Sequence, residues 1–389
     1  MPETTPERNP DVSSPDFDTE IDRRATSSSK WEKYAGRDVL PFWVADMDFR
    51  APPFIIEAVQ KRLQHEVLGY TRTPTRLIEA FQSWLARACN WTVPEEWLVW
   101  LPGVVTGFNL AARATAEPGG SVLLPTPVYY PFLAAPGNAG QQGIHVPLVR
   151  EHERWVMDFD ALRAASRPHT NLFMLCNPQN PTGRCYSRAE LTAVADFCLQ
   201  HDMVLCSDEI HCSLVLDETA SHTSVASLSP EIADRSITLF AATKTYNIPG
   251  LGCAVAVIPN RRLREAFRQA TSGLVPGIGP LEYAASQAAY ADTSDWLPSL
   301  LTYLRGNHDR LRQVAGERMT PVEATYLAWI DVRDLKQDNP GAYIEKYGLG
   351  LSNGADFGGS DIQPDDYFFM LWHFKPPYGP RVKFESLPD

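Results

Sequence analysis

A lysine at position 244 follows an apolar segment, residues 237–242, and a Pro249-Gly250 pair comes soon after it. The apolar segment is typical of a buried strand, and the proline and glycine exclude a regular helix or strand beyond it, so Lys244 is expected at a strand end. Burial would lower the pKa of its amine, because removal from water disfavours the charged form, and a neutral amine can attack a carbonyl carbon. The alternative is a lysine in a solvent-exposed turn.

Two further segments bring polar residues to the ends of apolar strands. Residues 177–183 read Asn-Pro-Gln-Asn-Pro-Thr-Gly after one strand, and Asp208 follows the next. Strand, loop and helix patterns alternate from about 97 to 245, which predicts a parallel sheet with helices on both faces. Ligands of such sheets bind outside the carboxyl ends of the strands, where Asn180, Asp208 and Lys244 are all expected.

A glycine-containing turn at 102–107 leads into a predicted helix. Backbone N–H groups at a helix start carry the positive end of the helix dipole, so this turn is a candidate phosphate site. Tyr129 and Tyr130 follow the next predicted strand, where an aromatic side chain can stack on a flat ring without a polar cost.

The order and spacing of these loops, with the lysine last, resemble the fold-type-I pyridoxal 5'-phosphate (PLP) enzymes, the aspartate aminotransferase superfamily. The segments similar to its MalY/PatB group of cysteine-conjugate and cystathionine β-lyases are residues 17–24, 29–31, 41–49 and 242–251. The resemblance extends from about Phe17 to about Gly358. It implies an α/β fold, in which a large domain with a mostly parallel, helix-covered sheet joins a smaller α+β domain.

The resemblance implies that the site holds PLP. Lys244 is expected to form an imine with the cofactor, Asp208 to keep the pyridine nitrogen protonated, and Asn180 to donate to the phenolic oxygen. The other residues expected to contact the cofactor are Val104 and Val105 through their backbone, Tyr129 through stacking, His211, Thr243 and, from the neighbouring subunit, Tyr70. Trp43 lies in the segment that runs over the substrate side of the site in the family, and is expected to contact the substrate.

Some of these assignments have alternatives. Asp208 is a helix or turn cap in the alternative interpretation, and Asn180 belongs to an ordinary turn. His211 is then a histidine of the core whose hydrogen bonds are made within the protein. Tyr130 takes the place of Tyr129 if the alignment with the family shifts by one residue. His211 stands where many aminotransferases carry a tyrosine, which favours a lyase.

The expected reaction is a β-elimination on cystathionine or another S-substituted L-cysteine. Lys244 removes the Cα proton, a thiolate leaves Cβ, and hydrolysis of the remainder gives pyruvate and ammonia. An aminotransferase would use the same residues, and a non-catalytic regulatory protein would keep the same fold. The similarity of the N-terminal segments to the lyase group favours elimination.

Arg381 is the expected anchor for the α-carboxylate of the substrate. Family members use an arginine in a Phe-x-Arg-Leu-Asn-Phe-like strand, and residues 381–384 resemble that motif behind an insertion of about 20 residues on the loop side. The arginine fork suits bidentate binding of a carboxylate. The alternative is that this terminus is unrelated sequence and the anchor is absent.

The composition indicates a soluble enzyme of the cytoplasm. The formal net charge is −12, from 35 basic and 47 acidic residues, which argues against nucleic acid or an anionic membrane as a partner. No apolar run approaches the roughly 20 residues that span a bilayer. The seven cysteines include no C-x-x-C pair and predict buried free thiols rather than disulfides or a metal site.

The 389 residues exceed what one core usually holds, which predicts two domains. The predicted divisions are a disordered tail at 1–16, an N-terminal segment over the active site and small domain at 17–53, a large PLP-binding domain at 54–280, and a small C-terminal domain with a divergent tail at 281–389. The expected partners are a small-molecule amino acid thioether and a second copy of the chain, because Tyr70 matches a tyrosine that reaches the neighbouring site in the family.

Overall fold

The computed structural model describes residues 15–337, 339–358 and 367–371, the last of these by the backbone alone. The predicted tail at 1–16 therefore falls almost entirely outside the described residues, and Arg381 lies outside them as well.

The α-helices are α1 (Ser29–Glu32), α2 (Pro53–Leu63), α3 (Thr75–Cys89), α4 (Val104–Ala114), α5 (Pro131–Asn138), α6 (Phe159–Ala165), α7 (Arg188–Gln200), α8 (Pro230–Asp234), α9 (Arg261–Thr271), α10 (Pro280–Tyr290), α11 (Trp296–Ala315) and α12 (Pro340–Glu345). The strands are β1 (Leu40–Pro41), β2 (Leu98–Leu101), β3 (Ser121–Thr126), β4 (Gln142–Pro147), β5 (Val149–Glu151), β6 (Arg154–Val156), β7 (Thr170–Cys176), β8 (Val204–Asp208), β9 (Ser236–Phe240), β10 (Ala254–Val257), β11 (Leu327–Asp331), β12 (Leu349–Gly350), β13 (Ser352–Asn353) and β14 (Tyr367–Leu371).

The largest sheet has seven strands in the order β2-β10-β9-β8-β7-β3-β4. The sheet is parallel from β9 through β8, β7 and β3 to β4. Strand β10 is antiparallel to both of its neighbours, β9 and β2. Strands β2, β3, β7, β8 and β9 consequently end at the same edge. This arrangement confirms the predicted α/β class with a mostly parallel sheet.

Helices cover both faces of this sheet, as strand β7 illustrates. Leu172 and Met174 belong to the buried cluster that contains Phe108 of α4, while Phe173 belongs to the opposite cluster with Phe197 of α7. Successive side chains of a strand point to opposite faces, so a strand that is buried on both faces reads as a continuous apolar segment. The apolar segments of the sequence have this origin.

Smaller sheets form the remaining β structure. Strand β14 pairs antiparallel with both β11 and β13, and β1 pairs in parallel with β12 through Leu40 and Leu349. The N-terminal segment is thus joined to the C-terminal part of the chain. The exact domain boundaries given above stay predictions.

Helix α7 begins at a capping box formed by Ser187 and Glu190, a Ser-x-x-Glu pattern that is also visible in the sequence. The Ser187 side chain accepts a hydrogen bond from the Glu190 N–H, and the Glu190 carboxylate accepts one from the Ser187 N–H at 2.7 Å. Two donors that lack partners within the helix are thereby satisfied. The helix then returns the chain to strand β8, which ends at Asp208.

All seven cysteines are free, and all except the part-buried Cys212 are buried. Among the residues described, no helix is both long enough and apolar enough to cross a bilayer.

Candidate active site

The predicted site residues converge on the edge of the sheet where the parallel strands end. Asp208 is the last residue of β8, and Asn180 and Lys244 each lie four residues beyond the end of a strand, β7 and β9 respectively. Asp208 pairs with Cys176 and with Leu239, so these three strands end almost level with one another. The position expected from a parallel sheet is therefore observed.

The amine of Lys244 points at the backbone of the N-terminal segment. Its Nζ donates a hydrogen bond of 2.6 Å to the carbonyl oxygen of Ala45, and the hydroxyl of Tyr326 donates to the same oxygen at 3.2 Å. Burial lowers the pKa of Lys244 to about 8, although the carboxylates of Asp46 and Asp208 act in the opposite direction. A substantial fraction of the amine is thus neutral near pH 7 to 8, as a nucleophile or base requires.

The carboxylate of Asp208 is buried beside this amine. Its Oδ1 accepts a hydrogen bond from the N–H of Ile210 at 3.1 Å, and the backbone carbonyl of Asp208 accepts one from the N–H of Asn177 at 2.9 Å. Burial raises the pKa of Asp208 to about 7, with a further increase from Glu209 and an opposing effect from Lys244. A cation placed against this carboxylate would favour its charged form.

The loop that carries Asn180 is held tightly from both sides. The thiol of Cys176 accepts from the N–H of Asn180 at 3.4 Å, and the Gln179 side chain donates to the carbonyl of Pro127 at 2.6 Å. Gly183 closes the loop with a φ of +73°, and a Cβ at this position would lie 2.6 Å from Val322 Cγ1. Both the left-handed backbone and the close approach require glycine.

Several buried polar atoms in this region have no hydrogen-bond partner among the described residues. They include the amide Oδ1 of Asn180 and the Nδ1 of His211. Burial lowers the pKa of His211 to about 3, and the charge of Lys244 lowers it further, so the ring is neutral at pH 7. Its ring lies edge-on to that of Tyr326, with the centroids 5.9 Å apart. Buried polar atoms without partners are rare and favour a site for a polar ligand.

The start of α4 faces the same edge of the sheet. Gly103 precedes the helix without a side-chain cap, and the first hydrogen bond within the helix runs from the Gly107 N–H to the Gly103 carbonyl. The N–H groups of the first turn, including those of Val104 and Val105, remain for a ligand. Val104 is buried, whereas Val105 is 40% exposed.

The other predicted residues have different surroundings. Thr243 is buried beside Lys244, and part-buried Tyr129 has its ring centroid 5.0 Å from that of Tyr130. Burial raises the pKa of Tyr129. Trp43 donates from Nε1 to the carbonyl of Lys30 at 3.1 Å, so its indole is anchored to the N-terminal segment.

Tyr70 lies fully exposed on the loop between α2 and α3. Its side chain is therefore available to a second chain.

The segment that contains Lys244 contacts the N-terminal segment 41–49 through Asn247, a contact not predicted from the sequence. The side chain of Asn247, in the motif that contains Lys244, donates from Nδ2 to the carbonyls of Met47 and Phe49, each at 2.8 Å. Its Oδ1 accepts from the N–H of Met47, also at 2.8 Å. These three bonds hold residues 45–49 over Lys244. Both motifs stood out in the sequence, but nothing in their spacing indicated that they touch.

A buried carboxylate with several hydrogen-bond partners, Glu209, follows the strand that ends in Asp208. Glu209 accepts from the Ser207 hydroxyl at 3.0 Å and from the Val225 N–H at 3.1 Å, and its second oxygen lies 2.8 Å from Nε2 of His222. Each oxygen of this buried carboxylate thus has a partner, which stabilises the backbone next to Asp208. Glu209 and His222 also escaped the sequence analysis.

The sequence model of a known family, described as aminotransferase class I and II, matches residues 37–356. The chain belongs to this family. A family relative, the cystathionine beta-lyase PatB of Bacillus subtilis strain 168, is 38% identical over 327 residues, which cover 81% of this chain and 84% of PatB. The predicted resemblance to the PatB-like group of the aminotransferase class I and II family is thereby confirmed.

Solved structures support the same relationship. The crystal structure of OvoB matches with a TM-score of 0.89 and 43% sequence identity, covering 95% of this chain and 97% of that one. The structure of cystalysin from Treponema denticola, which contains a pyridoxal 5'-phosphate cofactor, matches with a TM-score of 0.87 and 31% identity, covering 96% and 97%. The fold of the described residues is therefore the fold of these solved structures.

Proposed function

We propose that this protein is a PLP-dependent carbon–sulfur β-lyase that acts on cystathionine or another S-substituted L-cysteine. The observation that carries the proposal is the presence, at one edge of the sheet, of a buried lysine amine of lowered pKa, Lys244, and the buried carboxylate of Asp208, whose charges act on each other. Similarity to PatB supports a lyase, and similarity to cystalysin, whose structure contains PLP, supports the cofactor.

The residues present at this edge fit PLP. The unpartnered polar atoms of Asn180 and His211 are suited to the polar substituents of a pyridine ring. Asp208 has a raised pKa because little offsets its burial, and a protonated ring nitrogen would offset it. The N–H groups at the start of α4, from Val104 and Val105, suit the phosphate, with Thr243 as a further contact. Tyr129 is expected to stack on the ring.

When bound, PLP supplies an aldehyde that condenses with amines and a ring that withdraws electrons from the substrate α-carbon. Asp208 holds positive charge at the ring nitrogen. The free amine of Lys244 takes the Cα proton of the substrate, and its pKa of about 8 suits proton transfer near neutral pH. The Ala45 carbonyl orients this amine, and the neutral ring of His211 adds no charge beside it. The Cβ–S bond then breaks and a thiolate leaves.

The assignment of the cofactor residues is tested by mapping where PLP is held. Reduction of the loaded protein with borohydride, followed by peptide mass spectrometry, is expected to find the cofactor attached to Lys244. The Lys244→Ala variant should bind PLP without such attachment. Attachment at another lysine would contradict the proposed site.

The reaction is tested by thiol release from a series of S-substituted cysteines, measured with a thiol-reactive dye. Wild-type protein with PLP is expected to release thiol catalytically. Lys244→Ala should lose about 10²–10⁴-fold in kcat, which is the contribution of a positioned proton carrier. Asp208→Asn should be impaired at the chemical step as well as in PLP affinity. Absence of thiol from every member of the series would refute the lyase proposal.

An aminotransferase is the second candidate, because the matching family model covers aminotransferases. The same Lys244 would return the proton to a different carbon, so the residues do not distinguish the two outcomes. The distinguishing property is the need for an amino acceptor. Formation of a keto acid only when a second keto acid is added would favour this candidate.

We further propose that the protein is a homodimer with shared sites, in which Tyr70 reaches the PLP phosphate of the neighbouring subunit. The supporting observation is the exposure of Tyr70 together with Val67 and Leu68 on the same loop. Mixing inactive Tyr70→Ala and Lys244→Ala subunits should restore about a quarter of the wild-type activity, because half of the randomly formed dimers contain one intact site. No recovery, under conditions in which mass measurements show mixed dimers, would contradict a shared site.

A further inference from the structure

Four charged side chains of the N-terminal segment form one partly buried ion cluster beside Lys244. Arg23 contacts the carboxylates of Asp46 at 2.6 Å and Asp48 at 2.7 Å. Lys30, whose side chain is 0% exposed, lies 2.7 Å from Asp48 and 3.8 Å from Asp46. With two cations and two anions, the cluster carries no net charge. We call these four residues the N-terminal cluster.

The N-terminal cluster binds the backbone segment that faces Lys244. Lys30 Nζ donates to the carbonyl of Asp46 at 2.9 Å, directly after the residue whose carbonyl accepts from Lys244. On the other side of the same segment, Asn247 makes its three hydrogen bonds to Met47 and Phe49. Residues 45–49 are thus fixed from two directions, and the Ala45 carbonyl is fixed with them.

The cluster also lies within electrostatic reach of the Lys244 amine. The groups that face this amine are Asp46 from the N-terminal segment, Asp208 from the end of β8, His211 from the next loop and Tyr326 from the residue before β11. Asp46 favours the charged amine, and its Oδ1 has no hydrogen-bond partner among the described residues. Arg23 and Lys30 lie 2.6 Å and 3.8 Å from this carboxylate, so their positive charges are expected to oppose its effect on the amine.

We propose that the N-terminal cluster and Asn247 are positioning residues for Lys244: they fix the Ala45 carbonyl that orients the amine, and the charge balance of the cluster sets the fraction of amine free to react. The proposal rests on the role of Lys244 in the proposed function, but it concerns an amine that can be measured without turnover. It assigns a purpose to charged residues of three sequence segments, 17–24, 29–31 and 41–49, that lie outside the expected cofactor contacts.

The test uses paired variants with opposite charge changes, Lys30→Met and Asp48→Asn. The reaction of Lys244 with cyanate is followed by peptide mass spectrometry in the full-length, cofactor-free protein between pH 6 and 10. Lys30 donates to the carbonyl of Asp46, the residue that follows the Ala45 carbonyl bound by Lys244, so the charges of the cluster lie close to the amine. At an effective dielectric of about 20, a unit charge changes a pKa by about 1 even across roughly 12 Å. At pH 7, Lys30→Met should slow the labelling of Lys244 about tenfold, because the pKa of the amine rises. Asp48→Asn should accelerate it about fivefold, because that pKa falls.

The double variant Lys30→Met/Asp48→Asn restores the charge balance and should return the pH profile of labelling close to that of wild type. Arg37→Met is the matched control, because Arg37 is a cation of the same segment that pairs with Glu345 outside the cluster. It should leave the profile unchanged. Equal profiles for the wild type and both single variants, with unfolding midpoints showing that all are folded, would overturn the electrostatic part of the proposal.

The positioning part is tested with Asn247→Ala, which removes hydrogen bonds without changing charge. Hydrogen exchange of residues 45–49 should accelerate at least tenfold, while exchange in β8 stays unchanged. Exchange as slow as in wild type would overturn this part. None of these readouts depends on lyase activity, so failure of the proposed function would leave them intact, and their failure would leave the lyase assays unaffected.

Discussion

Replacement of Asp208 by asparagine should stabilise the cofactor-free protein at pH 7 and above. The Asp208 carboxyl has an ordinary pKa of about 3.9 in the unfolded chain and a pKa raised to about 7 by burial in the folded protein. Between these two values the folded state binds a proton that the unfolded state does not bind. Stability therefore falls as the pH rises from about 4 to about 7, and then stays level. Asparagine does not titrate, so this dependence should vanish.

The expected size follows from the two pKa values. A difference of about 3 in pKa corresponds to about 4 kcal/mol in the free energy of unfolding, which is an upper bound because buried groups relax and admit water. The asparagine side chain of the variant would keep an oxygen for the N–H of Ile210, which lies 3.1 Å from Oδ1 of Asp208 in the wild type. We expect a gain of about 2–4 kcal/mol at pH 8 and little gain at pH 4.5.

Urea denaturation of wild-type and Asp208→Asn protein at a series of pH values measures this difference. Asp196→Asn is the control, because Asp196 is exposed on α7, and it should change stability by less than about 0.5 kcal/mol. Addition of PLP should reverse the order of stability, since the wild-type carboxylate then has a cationic partner. An Asp208→Asn protein no more stable than wild type at pH 8, or a gain equal at all pH values, would refute the reasoning.

Two further predictions concern the elements that position the site. Gly183→Ala should destabilise the fold by about 2–4 kcal/mol, because the new Cβ collides with Val322 and the backbone is left-handed. Gly140→Ala is the control: its φ is +71° but the space around it is open, so it should cost only about 1 kcal/mol. Equal losses of stability in thermal denaturation would exclude the collision. Ser187→Ala should cost about 1 kcal/mol by loss of the helix cap, and unchanged denaturation midpoints would contradict the capping role.

The parallel sheet and the edge that carries the site followed from local sequence patterns. Strands β7, β8 and β9 are buried and mostly apolar, and a polar residue of the site lies at the end of each strand or four residues beyond it. Asn180, Asp208 and Lys244 were therefore placed together without knowledge of the strand order. The capping box at Ser187 was also readable, because it depends on residues three apart.

The parts that escaped prediction depend on contacts between distant segments. Asn247 binds Met47 across 200 positions of sequence, and Lys30 meets Asp48 through a fold of the N-terminal segment. No periodicity of the sequence predicts such contacts, because each partner is a polar residue that does not stand out from the residues next to it in the chain. The role of the Ala45 carbonyl is harder still to predict, because every residue has a backbone carbonyl and the residue type gives no indication of its role. The roles of Arg381 and Trp43 in substrate binding stay predictions.

The most direct test of the proposed function is the stoichiometry of products from L-cystathionine. Purified protein with PLP is incubated with the substrate, with and without an added keto acid, and thiol, pyruvate and ammonia are measured in the same samples. We expect equal amounts of all three, formed over many turnovers and independent of the keto acid. Keto acid formation that requires the added acceptor and releases no thiol would contradict β-elimination and identify an aminotransferase.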